Sequence, residues 1–140
     1  MFLNDCWTLR AHDPSDSDWT LASYSMISQI STVEDFWLAW NSCEPHVAST
    51  MLFLMREHIF PSWDDPGCID GCTISFICQP GGVTETFKEM CCRSLGETLT
   101  DQSMASIVNG VSIAPKNGFN VVKVWMSVCT DKHDIQCSNL

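Results

Sequence analysis

The fold of this chain is decided by a short stretch, TVEDFW at residues 32–37. Thr32 is a typical N-cap residue, because its hydroxyl can accept a hydrogen bond from the first turn of a helix. Glu34 and Asp35 then place negative charge at the positive end of the helix dipole. The pattern therefore predicts a helix that begins after Thr32, buries most of its aromatic side chains and ends at residues 42–43.

Alternating apolar and polar residues predict strands on both sides of this helix. Residues 72–78 alternate most clearly, and residues 107–114 and 121–129 predict a hairpin with a turn at residues 115–118. Strands and helices do not alternate regularly, which favours an α+β domain whose helices cover one face of an antiparallel sheet. The other predicted elements are a strand within residues 1–18, a strand at residues 19–30 with an irregular second half, a strand or turn at residues 51–60, and a helix from Val83 that ends near Gly96.

The length, composition and charge of the chain limit the functions it can have. Of its 140 residues, 45% are hydrophobic and 17% are charged, which indicates one globular domain. We expect this domain at residues 1–129 and a frayed tail at residues 130–140. The formal net charge of −10 argues against a long nucleic-acid groove, which needs a stripe of lysine and arginine. A pocket for a single nucleotide is compatible with this charge, because stacking carries more of the affinity there.

The nine cysteines are expected to be mainly reduced thiols that pack as small hydrophobic groups. No secretory signal begins the sequence, so we expect a cytoplasmic protein, and no apolar run is long enough to span a bilayer. The cysteines lack the paired short spacing of zinc ribbons, and no local signature joins a thiol to a histidine. We therefore expect no metal, no cofactor and no enzymatic activity.

Tryptophans and lysines predict a ligand site on the face of the sheet that the helices leave open. In the last predicted strand, Lys123 and Trp125 point to the same side, and Lys116 in the preceding turn lies at the rim of that face. Trp63 is followed directly by Asp64. An indole beside an acid suits a flat cationic ligand, because the ring attracts the cation and the carboxylate accepts its hydrogen bonds. Nearby lysines suit phosphates attached to an aromatic base.

Several short stretches carry a resemblance to a known family. The strongest are ISTVEDFW at residues 30–37 and IFPSWDD at residues 59–65, and weaker support comes from residues 95–97, 109–113 and 123–125. With these stretches in this order, residues from about 7 to about 129 resemble the family of eukaryotic translation initiation factor 4E, the messenger-RNA cap-binding protein. The resemblance implies a curved antiparallel sheet, with two or three helices on its convex face and a concave face open as a ligand slot.

The resemblance also implies which residues hold the base of the cap. In this family two tryptophans sandwich the positively charged 7-methylguanine, and Trp19 and Trp63 match them. Asp64 stands where the family has a glutamate that accepts hydrogen bonds from the guanine edge, although its side chain is one methylene shorter. Trp125 matches the tryptophan that touches the N7 methyl group. A stacked base of this kind contributes roughly 1–3 kcal/mol.

The implied phosphate site differs from the family pattern. Lys116 falls at the position of a phosphate-binding arginine but lacks the fork for a bidentate contact. The family's second basic residue falls at Val121, and Lys123, with the same strand parity, is the residue that can substitute for it. These departures keep an alternative open, in which the chain has the fold but has lost cap binding.

A second implied surface lies on the convex face. Val33 and Trp37 match the residues that grip a helical peptide of initiation scaffolds and their competitors. An exposed indole on a helix is itself a signal for a partner site, because helical tryptophans are usually buried. We therefore expect a monomer that binds the cap on one face and a scaffold peptide on the other. Under the alternative, it sequesters scaffold peptides as a translational repressor.

Overall fold

The computed structural model describes residues 1–129 and contains a six-stranded antiparallel sheet. The strands lie in the order β2-β1-β3-β5-β6-β4, and the sheet is curved. This confirms the predicted α+β class, while the predicted tail at residues 130–140 lies outside the described residues. The elements are β1 Phe2–His12, β2 Ser25–Thr32, α1 Val33–Cys43, β3 Met51–Arg56, β4 Cys72–Cys78, α2 Val83–Leu95, β5 Val108–Pro115 and β6 Asn120–Met126, with short 3-10 turns between some of them.

The start of α1 follows the capping signal in the sequence. The Thr32 hydroxyl accepts a hydrogen bond from the Asp35 N–H at 3.0 Å, and the Asp35 carboxylate accepts from the Thr32 N–H at 3.1 Å. This reciprocal pair satisfies backbone donors that a helix start leaves free. The N–H of Ser31 also donates to this carboxylate, and these hydrogen bonds lower the pKa of Asp35 below its ordinary value. The helix ends at Cys43, as predicted.

Two predicted strand boundaries are wrong. The strand predicted at residues 19–30 begins only at Ser25, because aspartate side chains before it bond to the backbone and hold a loop. The Asp18 carboxylate accepts from the Thr20 N–H at 2.9 Å, and the Asp16 carboxylate accepts from the Asp18 N–H at 2.9 Å. The last strand ends at Met126 instead of residue 129, and residues 127 and 128 form a bend.

The sheet has a helix face and an open face, and β6 shows both. Val122 and Val124 are fully buried in the main core, which includes the apolar sides of α1 and α2. Trp125 points the opposite way and packs in a smaller cluster with Phe53 and Met55. The alternation predicted for this strand is therefore confirmed along residues 121–126. Neither α-helix within residues 1–129 has the length and apolar character needed to span a bilayer.

A buried arginine joins the elements at one end of the sheet. The Arg56 guanidinium forms ion pairs with Glu97 at 2.6 Å and Asp5 at 2.9 Å, and it lies over the Trp7 ring at 4.6 Å. Its Nε donates to the Val108 carbonyl at 2.7 Å. Burial by itself lowers the pKa of Arg56, but the hydrogen bonds with both carboxylates outweigh burial and raise it. The network therefore connects β1, β3, β5 and the residue Glu97 after α2 at the end of the sheet where β3 finishes.

Candidate functional site

The open face carries a cavity of about 360 Å³. Aromatic side chains and two lysines form most of its wall. This composition suits a flat ligand that carries an attached anionic group. Of the six residues predicted to contact the cap, five line this cavity. The lining residues are Trp19, Tyr24, Met51, Phe53, Pro61, Ser62, Trp63, Ser112, Ala114, Lys116, Val121, Lys123 and Trp125.

Trp19 forms one wall of the cavity. Its indole stacks on the imidazole of His12, with ring centroids 3.9 Å apart and an angle of 4° between the planes. Tyr24 meets both rings at its edge and packs in turn against Phe53. Trp19 nevertheless remains 49% exposed, so the ring is supported on one side and accessible to a ligand on the other.

Trp63 lies on a loop that an aspartate holds in shape. The carboxylate of Asp65 accepts hydrogen bonds from the Phe60 N–H at 3.0 Å and the Gly67 N–H at 2.8 Å. Trp63 is 48% exposed, and its ring lies 5.1 Å from the Trp125 ring at an angle of 33°. The loop therefore presents an indole to the cavity next to a second, more deeply placed indole.

Trp125 is fixed at the floor of the cavity. Its indole N–H donates to the Ser112 hydroxyl at 3.0 Å, and only 7% of the residue is exposed. A buried indole nitrogen needs such an acceptor, because an unsatisfied buried donor is costly. The position of this ring is thus set by the neighbouring strand β5 before any ligand binds.

Positive charge is concentrated at the cavity although the chain as a whole is acidic. Lys116 and Lys123 both line it, and neither ammonium group forms an ion pair within residues 1–129. Arg10 does not line the cavity; its guanidinium lies 5.5 Å from the Phe60 ring centroid, and burial lowers its pKa although Tyr24 opposes this. The two lysines are therefore available to anionic groups of a ligand.

Asp64 is the predicted site residue that the structure does not bring to the cavity. Its side chain is exposed, and its backbone N–H donates to the Ser62 hydroxyl at 3.2 Å. Within residues 1–129, no aspartate or glutamate lines this cavity. Reading of the guanine edge by Asp64 remains a prediction that requires the loop to turn this carboxylate inward.

Sequence reasoning missed three residues that build the site. His12 supports Trp19, Tyr24 closes one corner, and Ser112 holds Trp125. The position of His12 could have been predicted from the alternation along β1. This alternation places His12 on the open face, opposite Leu9 and the main core. No comparable local signal marks Tyr24, which lies in the loop that the sequence predicted as strand.

The predicted partner residues lie on the helix face. Trp37 on α1 is 42% exposed, and its neighbour Leu38 is 73% exposed, whereas Phe36 is buried in the core. Val33 is partly buried at the first turn of the helix, where its N–H donates to the Met1 carbonyl at 3.0 Å. The structure therefore presents an apolar surface on α1 on the opposite side of the sheet from the cavity.

Other parts of the structure offer less for ligand chemistry. A larger recess of about 800 Å³ lies beside Arg56, but the charges of Arg56, Asp5 and Glu97 there are already paired with one another. Burial raises the pKa of Cys43 to about 11 and the pKa of Cys91 well above the usual thiol value, which disfavours reactive thiolates. Among residues 1–129, no group of three or more histidine, cysteine or acidic side chains is placed to hold a metal ion.

Comparisons with known proteins give a consistent result. The sequence profile of the family described as Eukaryotic initiation factor 4E matches residues 2–137. No curated protein matches the chain. One similar solved structure is a complex of C. elegans eIF4E-3 with the 4E-binding protein Mextli and a cap analog. It is 20% identical, with a TM-score of 0.80, and the match covers 94% of this chain and 77% of that one.

Two further structures show the same similarity. Ascaris suum eIF4E-3 in complex with the m7G cap is 18% identical, with a TM-score of 0.79 over 93% of this chain and 75% of that one. Schistosome eIF4E in complex with m7GpppA and 4E-BP is 17% identical, with a TM-score of 0.84 over 99% of this chain and 78% of that one. The structural matches establish the fold, and the profile covers nearly the whole chain. This chain belongs to the eukaryotic initiation factor 4E family.

Proposed function

We propose that this chain is a non-enzymatic messenger-RNA cap-binding protein that acts in translation initiation or its regulation in the cytoplasm. The observation that carries the proposal is the cavity on the open face, where two half-exposed indoles, Trp19 and Trp63, line one space with Lys116 and Lys123. Methylation at N7 makes guanine cationic, which strengthens stacking between electron-rich indoles. The lysines then contact the phosphates, and Trp125 lies beside the methyl group.

Replacement of Trp63 by alanine tests this proposal on a 7-methylguanosine resin. Loss of one stacking partner is expected to lower affinity by a factor of about 5 to about 150, because a stacked base contributes about 1–3 kcal/mol. Trp37→Ala is a matched control, since Trp37 is also a half-exposed indole but lies on the helix face. Both variants should keep the thermal unfolding midpoint close to that of the wild type. Full retention of Trp63→Ala on the resin would contradict the proposal that Trp63 stacks on the base of the cap.

A second candidate function is favoured by Asp64. Because this carboxylate lies outside the cavity, the guanine edge has no acidic acceptor in the arrangement of residues 1–129. A protein that keeps the fold but not cap affinity would still present the α1 surface around Val33 and Trp37. It would sequester helical scaffold peptides and repress translation. Under this alternative, 7-methyl-GTP binds neither the wild type nor Trp37→Ala. The wild type captures a 4E-binding peptide, and Trp37→Ala does not.

A further inference from the structure

The imidazole of His12 is a buried polar group that the proposed cap site does not use directly. Only 1% of His12 is exposed. Its Nε2 lies 2.7 Å from the carbonyl oxygen of Asp18, and since a carbonyl only accepts, Nε2 carries the proton and donates. Its Nδ1 is buried and has no hydrogen-bond partner among the described residues. One ring nitrogen of His12 is therefore hydrogen-bonded, and the other has no hydrogen-bond partner among the described residues.

This ring has an unusual place in the site. The stack of His12 on Trp19 is close to parallel, and Trp19 is the wall of the cavity on that side. The hydrogen bond to Asp18, the residue just before Trp19, fixes the imidazole relative to the indole. We infer that the orientation of Trp19, which lines the cavity and is 49% exposed, depends on its stack with His12.

We propose that His12 is a positioning residue for Trp19, and that its neutral form supports cap binding while its protonated form weakens it. The inference rests on the proposed cap-binding function. A second proton on His12 would place a cation against one face of Trp19 while 7-methylguanine places another cation against the opposite face. The two cations compete for the same π electrons and repel one another. The new N–H at Nδ1 would also lack an acceptor.

Groups of both charge signs lie near His12 in the chain. Asp13 and Asp18 lie in the loop after β1, and hydrogen bonds, mainly from the backbone of Ser15 and Thr20, lower the pKa of each. Both carboxylates are therefore anionic at the two pH values of the test below. Arg10 is a cation two residues earlier on the same side of β1, and the Tyr24 ring at 4.8 Å is neutral below its raised pKa. Across the ladder on β3, His12 faces the uncharged Met51.

The test compares wild type, His12→Phe and His12→Ala in binding 7-methyl-GTP at pH 7.5 and pH 5.5. Phenylalanine keeps the stack but cannot titrate, whereas alanine removes the stack. The ratio of wild-type to His12→Phe affinity cancels the titration of the ligand itself. We expect this ratio to fall roughly threefold to thirtyfold at the lower pH, the range of a cation–π interaction. We also expect His12→Ala to bind more weakly than His12→Phe at pH 7.5.

A constant ratio, or equal affinities of the two variants at pH 7.5, would overturn the inference. A ligand-free measurement separates it from the proposed function. The indole N–H resonance of Trp19, assigned by its loss in Trp19→Phe, should shift with pH in the wild type and stay fixed in His12→Phe. If neither the wild type nor the His12 variants bind 7-methyl-GTP, the proposed cap-binding function is refuted. The Trp19 resonance alone then tests the role of His12. A resonance that behaves identically in both proteins would then refute it.

Discussion

Replacement of Arg56 by methionine removes the charged centre of the network at the end of the sheet. The guanidinium makes two hydrogen bonds to Glu97, at 2.9 and 2.6 Å, and one to Asp5 at 2.9 Å. It also donates to the carbonyl oxygens of Val108 at 2.7 Å and Ala105 at 3.1 Å. Methionine matches the stem of arginine up to Nε and keeps the packing of that stem, so the variant removes mainly the guanidinium with its charge and hydrogen bonds.

The magnitude follows from the burial of the partners. The side chains of Arg56 and Glu97 are only 7% and 12% exposed, so the variant leaves a buried carboxylate without its cation. Breaking a buried ion pair in this way costs about 3–5 kcal/mol. Asp5 is 37% exposed and adds less than about 1 kcal/mol, because solvent screens it. We expect the free energy of unfolding to fall by about 3–5 kcal/mol in total.

Urea unfolding followed by circular dichroism measures this loss, with Lys88→Met as the control. Lys88 pairs with Glu85 in an exposed ion pair on α2, so its removal should leave the urea midpoint close to that of the wild type. The double variant Arg56→Met/Glu97→Gln should recover part of the loss, because the stranded charge is then neutralised. A loss below about 1 kcal/mol in Arg56→Met would refute the reading that this network is a buried, stabilising unit.

Two further outcomes are expected. Ser112→Ala should lower the free energy of unfolding by about 1–3 kcal/mol, because it leaves the buried Trp125 N–H without its acceptor; a urea titration unchanged from the wild type would contradict this. Acid should destabilise the start of α1, because hydrogen bonds from Ser31 and Thr32 hold the pKa of Asp35 below its ordinary value of 3.8. The stabilisation is complete above that value and is lost as the pH falls through the lower folded-state pKa. Asp35→Asn should therefore lose less stability than the wild type between pH 4 and pH 2, and equal losses would exclude Asp35 as a cause.

Much of the fold follows from local signals in the sequence. The capping signal at Thr32 predicted the start of α1, since the capping box involves residues only three positions apart. The alternation in residues 72–78 predicted β4 for a similar reason. Alternation at residues 19–24 predicts a strand that the structure lacks, because the aspartates before Trp19 shape this segment. Their side chains satisfy the backbone locally and stop the chain from pairing as a strand.

The site was predictable where strand parity determines it and not where distant segments meet. Parity places Lys123 and Trp125 on the same face, and the structure shows both lining one cavity. The stack of His12 on Trp19 depends on how the loop after β1 folds back, which no periodic pattern encodes. The outward position of Asp64 likewise depends on the conformation of the 57–71 loop, and its part in base recognition stays a prediction.

In the proposed site, two indoles on the open face hold a positively charged purine. A titration of the wild-type protein with 7-methyl-GTP, followed by tryptophan fluorescence and repeated with unmethylated GTP, tests it most directly. We predict saturable quenching, with 7-methyl-GTP bound about tenfold or more tightly than GTP, because only the methylated base is cationic. No quenching at high micromolar 7-methyl-GTP, or equal affinity for both nucleotides, would contradict the claim.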